Sequence, residues 1–117
     1  EGLASLEYGV AVLGAPLILV LGHERCGAIE AGVKAVKEHT VFPGKMPALT
    51  DALKSSVEQV KGRPGDLVEN ATVQNIKNSI ERLKQATPLL TDALSKGQLK
   101  IVGGIYRLAT GKVELVA

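Results

Sequence analysis

His23 and Cys26 stand three residues apart in the stretch Gly22-His23-Glu24-Arg25-Cys26-Gly27-Ala28. Imidazole nitrogen and thiolate are both good ligands for Zn²⁺, and this spacing lets one turn present both to a single ion. Cys26 is the only cysteine in the chain, so an internal disulfide is excluded and the thiol is left for metal binding or chemistry. At the start of a helix its thiolate would be favoured by exposed backbone N–H groups and the positive end of the helix dipole, which suits a metal ligand or a nucleophile. Two ligands do not make a metal site, and the plainer alternative is a buried thiol near a satisfied histidine.

The elements that must hold these two residues can be read from the pattern around them. Leu17 to Leu21 is a continuous aliphatic run bounded by Pro16 and Gly22, which predicts a strand buried on both faces of a parallel sheet. From Cys26 to Lys37, Ile29, Val33 and Val36 recur at helical spacing, so His23 and Cys26 fall on a strand-to-helix turn, where open α/β sheets bind ligands. Upstream, Leu3, Leu6, Val10 and Leu13 mark a helix that Gly14 and Pro16 stop. Downstream, Leu49, Leu53, Val57 and Val60 mark a helix that ends at Gly62-Arg63-Pro64-Gly65. Asp66 is placed to cap a long helix carrying Leu67, Val73, Ile76, Ile80 and Leu83, which reads as core packing, and Pro88 opens a short helix through Leu94. Lys100 to Ile105 is a second aliphatic strand, and Thr110-Gly111 turns the chain into Lys112 to Val116, expected as an antiparallel edge strand. The expected fold is a layered α/β unit with a mostly parallel sheet flanked by helices.

Composition bounds the function. The 117 residues are 45% hydrophobic but include no Trp, one Phe and two Tyr, so the core is aliphatic, and one domain over residues 1–117 is expected. The net charge of +2 comes from interspersed acids and bases, without the like-charge block of a nucleic-acid or membrane-binding surface. The longest apolar run, Ala15 to Leu21, falls far short of the ~20 residues that cross a bilayer. A soluble chain with small-molecule or protein partners, in the cytoplasm or another reducing compartment, is therefore expected. The chain opens with Glu1 and no Met, and its first residues already read as helix, so further residues are expected to precede it.

Taken with Ser5-Leu6-Glu7-Tyr8, the stretch Gly22 to Ala28 resembles the second zinc motif of β-class carbonic anhydrases. The resemblance continues through the helix around Asn75, the segment Gly97 to Val102, and Gly104-Ile105-Tyr106-Arg107-Leu108-Ala109-Thr110-Gly111-Lys112-Val113, so it covers the C-terminal region of that family. It implies a partial β-carbonic anhydrase fold, His23 and Cys26 as zinc ligands, and reversible hydration of carbon dioxide to bicarbonate, the metal lowering the pKa of bound water to about 7. It also implies a homodimer or larger homo-oligomer, with Tyr8 and Gly27 at the substrate pocket, Tyr8 across a subunit interface. The family's Cys-x-Asp-x-Arg motif, which carries the third ligand and an Asp-Arg pair, has no match here. The family commonly has an acid where Arg107 stands, a departure expected to lie on a surface hairpin.

Plainer roles stand beside these. Tyr8 could pack its ring in the core with its hydroxyl at the rim. Gly22 and Gly27 could simply relieve crowding at a tight turn. Arg25 reads as a solvated arginine and His39 as an exposed loop histidine. If the upstream segment is absent, the first helix is expected to show bare apolar surface. The competing function is a non-catalytic α/β interaction module with a partial metal site; a cysteine hydrolase is weaker, since no base is specified for the thiol.

Overall fold

Pro16 and Gly22 bracket the aliphatic run as expected, and the computed structural model, which describes residues 1–117, turns it into strand β1, Leu17–His23. The preceding helix α1, Gly2–Ala11, is closed by Gly14, whose φ of 69° is left-handed backbone that glycine adopts without penalty. After β1 come α2 (Gly27–Lys37), α3 (Met46–Val60), α4 (Leu67–Lys84) and α5 (Leu89–Ser95). Asp66 caps α4 as its position foretells, its side chain accepting a hydrogen bond of 2.8 Å from the Glu69 N–H. The chain finishes with β2, Lys100–Tyr106, and the short β3, Val113–Leu115.

The strands form one sheet in the order β1-β2-β3. β1 and β2 are parallel, in register from Leu17 opposite Lys100 to His23 opposite Tyr106. β2 and β3 are antiparallel, with Gly104 opposite Leu115, which is the expected edge strand. The connection between the two parallel strands is the whole run of α2 to α5. Two aliphatic clusters support it. One joins Val10, Ile18, Ile76, Ile80, Leu90 and Ile105; the other joins Ile29, Leu53, Val57, Val60 and Ala71. α4 contributes to both and so ties the sheet to the α2–α3 pair. No helix is long and apolar enough to cross a membrane.

One expectation fails. β1 is covered on a single face: Ile18 is buried, while Leu17, Leu19 and Leu21 are 53%, 44% and 50% exposed. The reason is layering. α4 packs on the side of Ile18 and Gly22, and no element of the chain lies over the alternate residues, so the run is aliphatic on both faces and buried on one. Leu115, at the same face, is also bare, as are Leu3, Val12 and Leu13 around α1.

Helix and sheet approach most closely at Gly103. A Cβ there would stand 2.5 Å from Ile76 Cγ2 and 2.7 Å from Ile80 Cδ1, whereas one at Gly27 would meet nothing within 4 Å. Gly103→Ala is therefore expected to lower the unfolding free energy by about 1–3 kcal/mol, read as an earlier urea midpoint, with Gly27→Ala as the neutral control. Equal midpoints for the two variants would show that α4 does not lie this close to the sheet.

Candidate metal centre

β1 ends at His23 and α2 begins at Gly27, so the two donors stand at the two ends of the turn that follows a parallel strand, His23 as the last strand residue and Cys26 just before the helix. His23 is exposed and its Nδ1 lies 2.9 Å from the carbonyl oxygen of Glu24. A carbonyl can only accept, so in this contact Nδ1 carries the proton and Nε2 keeps its lone pair for a metal. Cys26 is the N-cap residue of α2, half-buried, with no hydrogen bond from its side chain to the helix. Its sulfur is thus free at the helix N-terminus, packed beside the second aliphatic cluster. Between the donors, Arg25 has φ of 51°, a left-handed conformation that costs a non-glycine residue roughly 1–2 kcal/mol. Its side chain is exposed, as expected.

A cavity of about 270 Å³ opens beside the turn, with His23, Cys26, Leu21 and Ile29 on one side and Leu49, Leu53, Thr72 and Asn75 among its other walls. Its lining is mainly apolar. Thr72 donates back to the Val68 carbonyl at 2.8 Å, so its hydroxyl proton is committed to α4. Asn75 Oδ1 accepts from Ser56 Oγ at 3.1 Å, and Ser56 in turn accepts from Asn78 Nδ2 at 3.0 Å, a polar bridge between α3 and α4 behind the cavity wall.

A second group of charges lies on the other side of the turn. Arg107, directly after β2, reaches Glu69 at 2.7 Å, Glu114 at 2.9 Å and Glu24 at 3.5 Å, with its side chain only 23% exposed. Hydrogen bonds that the guanidinium donates to Glu114 and Glu69 hold its pKa above the ordinary guanidinium value, and it is charged at every accessible pH. Arg107 stands on the hairpin between β2 and β3 as expected, and beyond that expectation it joins the ligand turn, α4 and β3.

Of the residues singled out from sequence, the structure brings together His23 and Cys26. Tyr8 is 58% exposed on α1, in neither the core nor the cavity lining. Gly27 is exposed at the first position of α2 and does not line the cavity; with open space at its Cβ, crowding does not explain it. Gly22 is different, since a Cβ would sit 2.7 Å from Ile76 Cδ1, so there the crowding explanation holds. His39 is exposed in the loop after α2 with φ of 54°. No group of three or more His, Cys, Asp or Glu side chains is arranged to hold a metal ion. The donors present fit zinc as far as they go: a free imidazole Nε2 and an uncommitted thiol on one turn. Sequence reasoning missed the roles of Glu24 and Arg107, because Glu24 meets Leu108 across 84 positions of the chain and Arg107 draws Glu24 and Glu69 from elements far from its own, so no local spacing announces them.

The carbonic anhydrase family profile matches residues 1–113. A carbonic anhydrase of Mycolicibacterium smegmatis is 36% identical over 115 residues, covering 97% of this chain and 55% of that protein. Carbonic anhydrase 2 of Mycobacterium tuberculosis is 32% identical over the same shares. Among solved structures, the β-carbonic anhydrase CcaA superposes with a TM-score of 0.78 at 28% identity, over 96% of this chain and 52% of that one. Tetrameric β-carbonic anhydrases of Sordaria macrospora give 0.81 at 20% identity, over 96% of this chain and 57% of theirs, a likeness of fold. The chain spans about half the length of the curated relatives it matches.

Ser56 tests the cavity wall. It is buried at 1% exposure, and Ser56→Ala removes the donor to Asn75 and the acceptor from Asn78 together. A loss of about 1–3 kcal/mol in denaturant unfolding is expected, with displaced NMR signals for both side-chain amides. Unmoved amide signals would show that the bridge does not form.

Proposed function

This chain belongs to the β-class carbonic anhydrase family, and from that premise we propose that it furnishes His23 and Cys26 as zinc ligands for the reversible hydration of carbon dioxide to bicarbonate. The observation that carries the reading is the state of His23: with Nδ1 donating to the Glu24 carbonyl, the ring is fixed in the tautomer and orientation a metal ligand needs. Cys26 adds a thiol at a helix N-terminus, where the thiolate is favoured. Zinc, when held there, supplies a Lewis acid that makes water a nucleophile at neutral pH.

The chain's own residues have three tasks in this reading. His23 and Cys26 bind and do not transfer protons. The apolar walls of the cavity, Leu21, Ile29, Leu49 and Leu53, suit an uncharged, weakly solvated molecule such as carbon dioxide. Asn75, tethered by Ser56, supplies a polar group on a mainly apolar wall. Zinc also requires at least one further protein donor, which in the family stands in a Cys-x-Asp-x-Arg motif that these 117 residues do not contain. A homo-oligomer is part of the proposal, supported by the tetrameric relatives of like fold, with Tyr8, exposed on α1, facing the pocket of a neighbouring subunit and Gly27 close to the bound ligand. So is a reducing compartment such as the cytoplasm, which keeps the single thiol free. The bare leucine face of β1 favours a second reading, a non-catalytic interaction module.

Zinc-dependent hydration, followed by rapid pH change in alkaline solution with and without a chelator, separates the two. Chelator-sensitive activity is expected from a preparation with its full ligand set. His23→Ala is expected to lose zinc and to lower activity by well over the roughly 10–100-fold that loss of a ligand's hydrogen-bond partner costs. Hydration unchanged in that variant would overturn the assignment of His23. Zinc retention lost with assembly untouched, in a parent that has no activity, would favour the module.

A further inference from the structure

Glu24 stands between the two donors, and all of its polar atoms are engaged. Its N–H donates to the Tyr106 carbonyl at 3.1 Å, and its own carbonyl accepts from His23 Nδ1 at 2.9 Å. Its Oε1 accepts from the Leu108 N–H at 2.8 Å, while Oε2 faces Arg107 Nη1 at 3.5 Å. Arg107 is fixed in its turn by Glu69 in the first turn of α4 and by Glu114 of β3, and its own N–H donates to the Lys112 carbonyl at 2.8 Å. The turn they hold includes the left-handed Arg25, a conformation that persists only where its surroundings enforce it.

We infer that Arg107, acting through Glu24, is the positioning residue of the His23–Cys26 turn. It touches neither donor. Its guanidinium sets the place of the Glu24 carboxylate, the carboxylate fixes the Glu24 backbone against β2, and the Glu24 carbonyl orients the His23 ring. An arginine is required because one planar group reaches three carboxylates on three elements; a lysine is a single point charge and can satisfy one or two. The purpose of the device, holding donors for a metal, rests on the zinc reading. The mechanical coupling does not.

Hydrogen exchange on the metal-free 117-residue chain and titration with Co²⁺ test the two parts separately. In Arg107→Ala, exchange of the Leu108 and Glu24 N–H groups is expected to quicken about tenfold, the loss of one charge-assisted hydrogen bond, with core amides of α4 and β2 unchanged. Cobalt affinity, followed by thiolate-to-cobalt charge-transfer absorption, is expected to fall about 10–100-fold, and Arg107→Lys to recover part of it. Glu24→Gln keeps an acceptor for Leu108 and the Glu69 and Glu114 contacts while removing the charge that faces Arg107. It is expected to show the same changes in smaller measure, and serves if Arg107→Ala does not fold. Turn amides as slow as in the parent, or all amides quickened together, would overturn the inference. A parent that binds no Co²⁺ would instead sink the zinc reading, and the exchange data would still decide the coupling.

Discussion

Ile76 of α4 lies so near Gly22 and Gly103 that neither strand could carry a side chain where the helix crosses. This close approach decides the rest of the architecture. It fixes the helix layer at a short distance from the sheet, and it brings Thr72 and Asn75 level with the end of β1. The cavity beside His23 is the gap left where α4 passes from the sheet to the α2–α3 pair. The aliphatic clusters on its two sides keep that gap from collapsing, each being closed by residues of α4. The capped start of α4 matters for the same reason, since Asp66 sets the first turn from which Glu69 reaches Arg107. Helix, cavity and turn are thus one mechanical unit, and a substitution at Gly103 bears on the donor turn without touching it.

Much of this was legible in the residues. The strand-turn-helix around His23 and Cys26 follows from an aliphatic run, a glycine and a change of period from strand to helix, each a local signal. The cap at Asp66 and the edge strand after Thr110-Gly111 are local as well, and both stand where expected. The one-sided burial of β1 was not legible. Leu17 to Leu21 is equally apolar on both faces, and only the count of layers in the folded chain distinguishes them. Gly27 marks the same limit from the other side: glycine at a turn suggests crowding, but the space around it is open. Arg107 was read as a hairpin residue, which it is, but its reach to Glu24 and Glu69 was not legible, because carboxylates from distant parts of the chain leave no pattern near it.

Those carboxylates also explain why an arginine is tolerable there. A guanidinium with little exposure is costly unless its donors are matched, and Glu24, Glu69 and Glu114 supply acceptors from three elements. None of the three pairs is worth much alone at a partly solvated position. Their value is geometric. The network closes a loop through β2, α4 and β3 around Glu24, one of the two residues between the donors, so relative movement of any of these elements is felt at the turn.

The pleat of β1 gives the donor pair its last property. Side chains alternate along a strand, so His23 continues the series of Leu17, Leu19 and Leu21 and emerges on the bare face of the sheet. Cys26, past the turn, packs with Ile29 and the helices on the covered side. Both still line the cavity at the end of β1, the imidazole reaching it from the strand and the thiol from the start of α2, where it is anchored against the second aliphatic cluster. Cover laid over that leucine face would change the surroundings of His23 at once while leaving those of Cys26 nearly as they are.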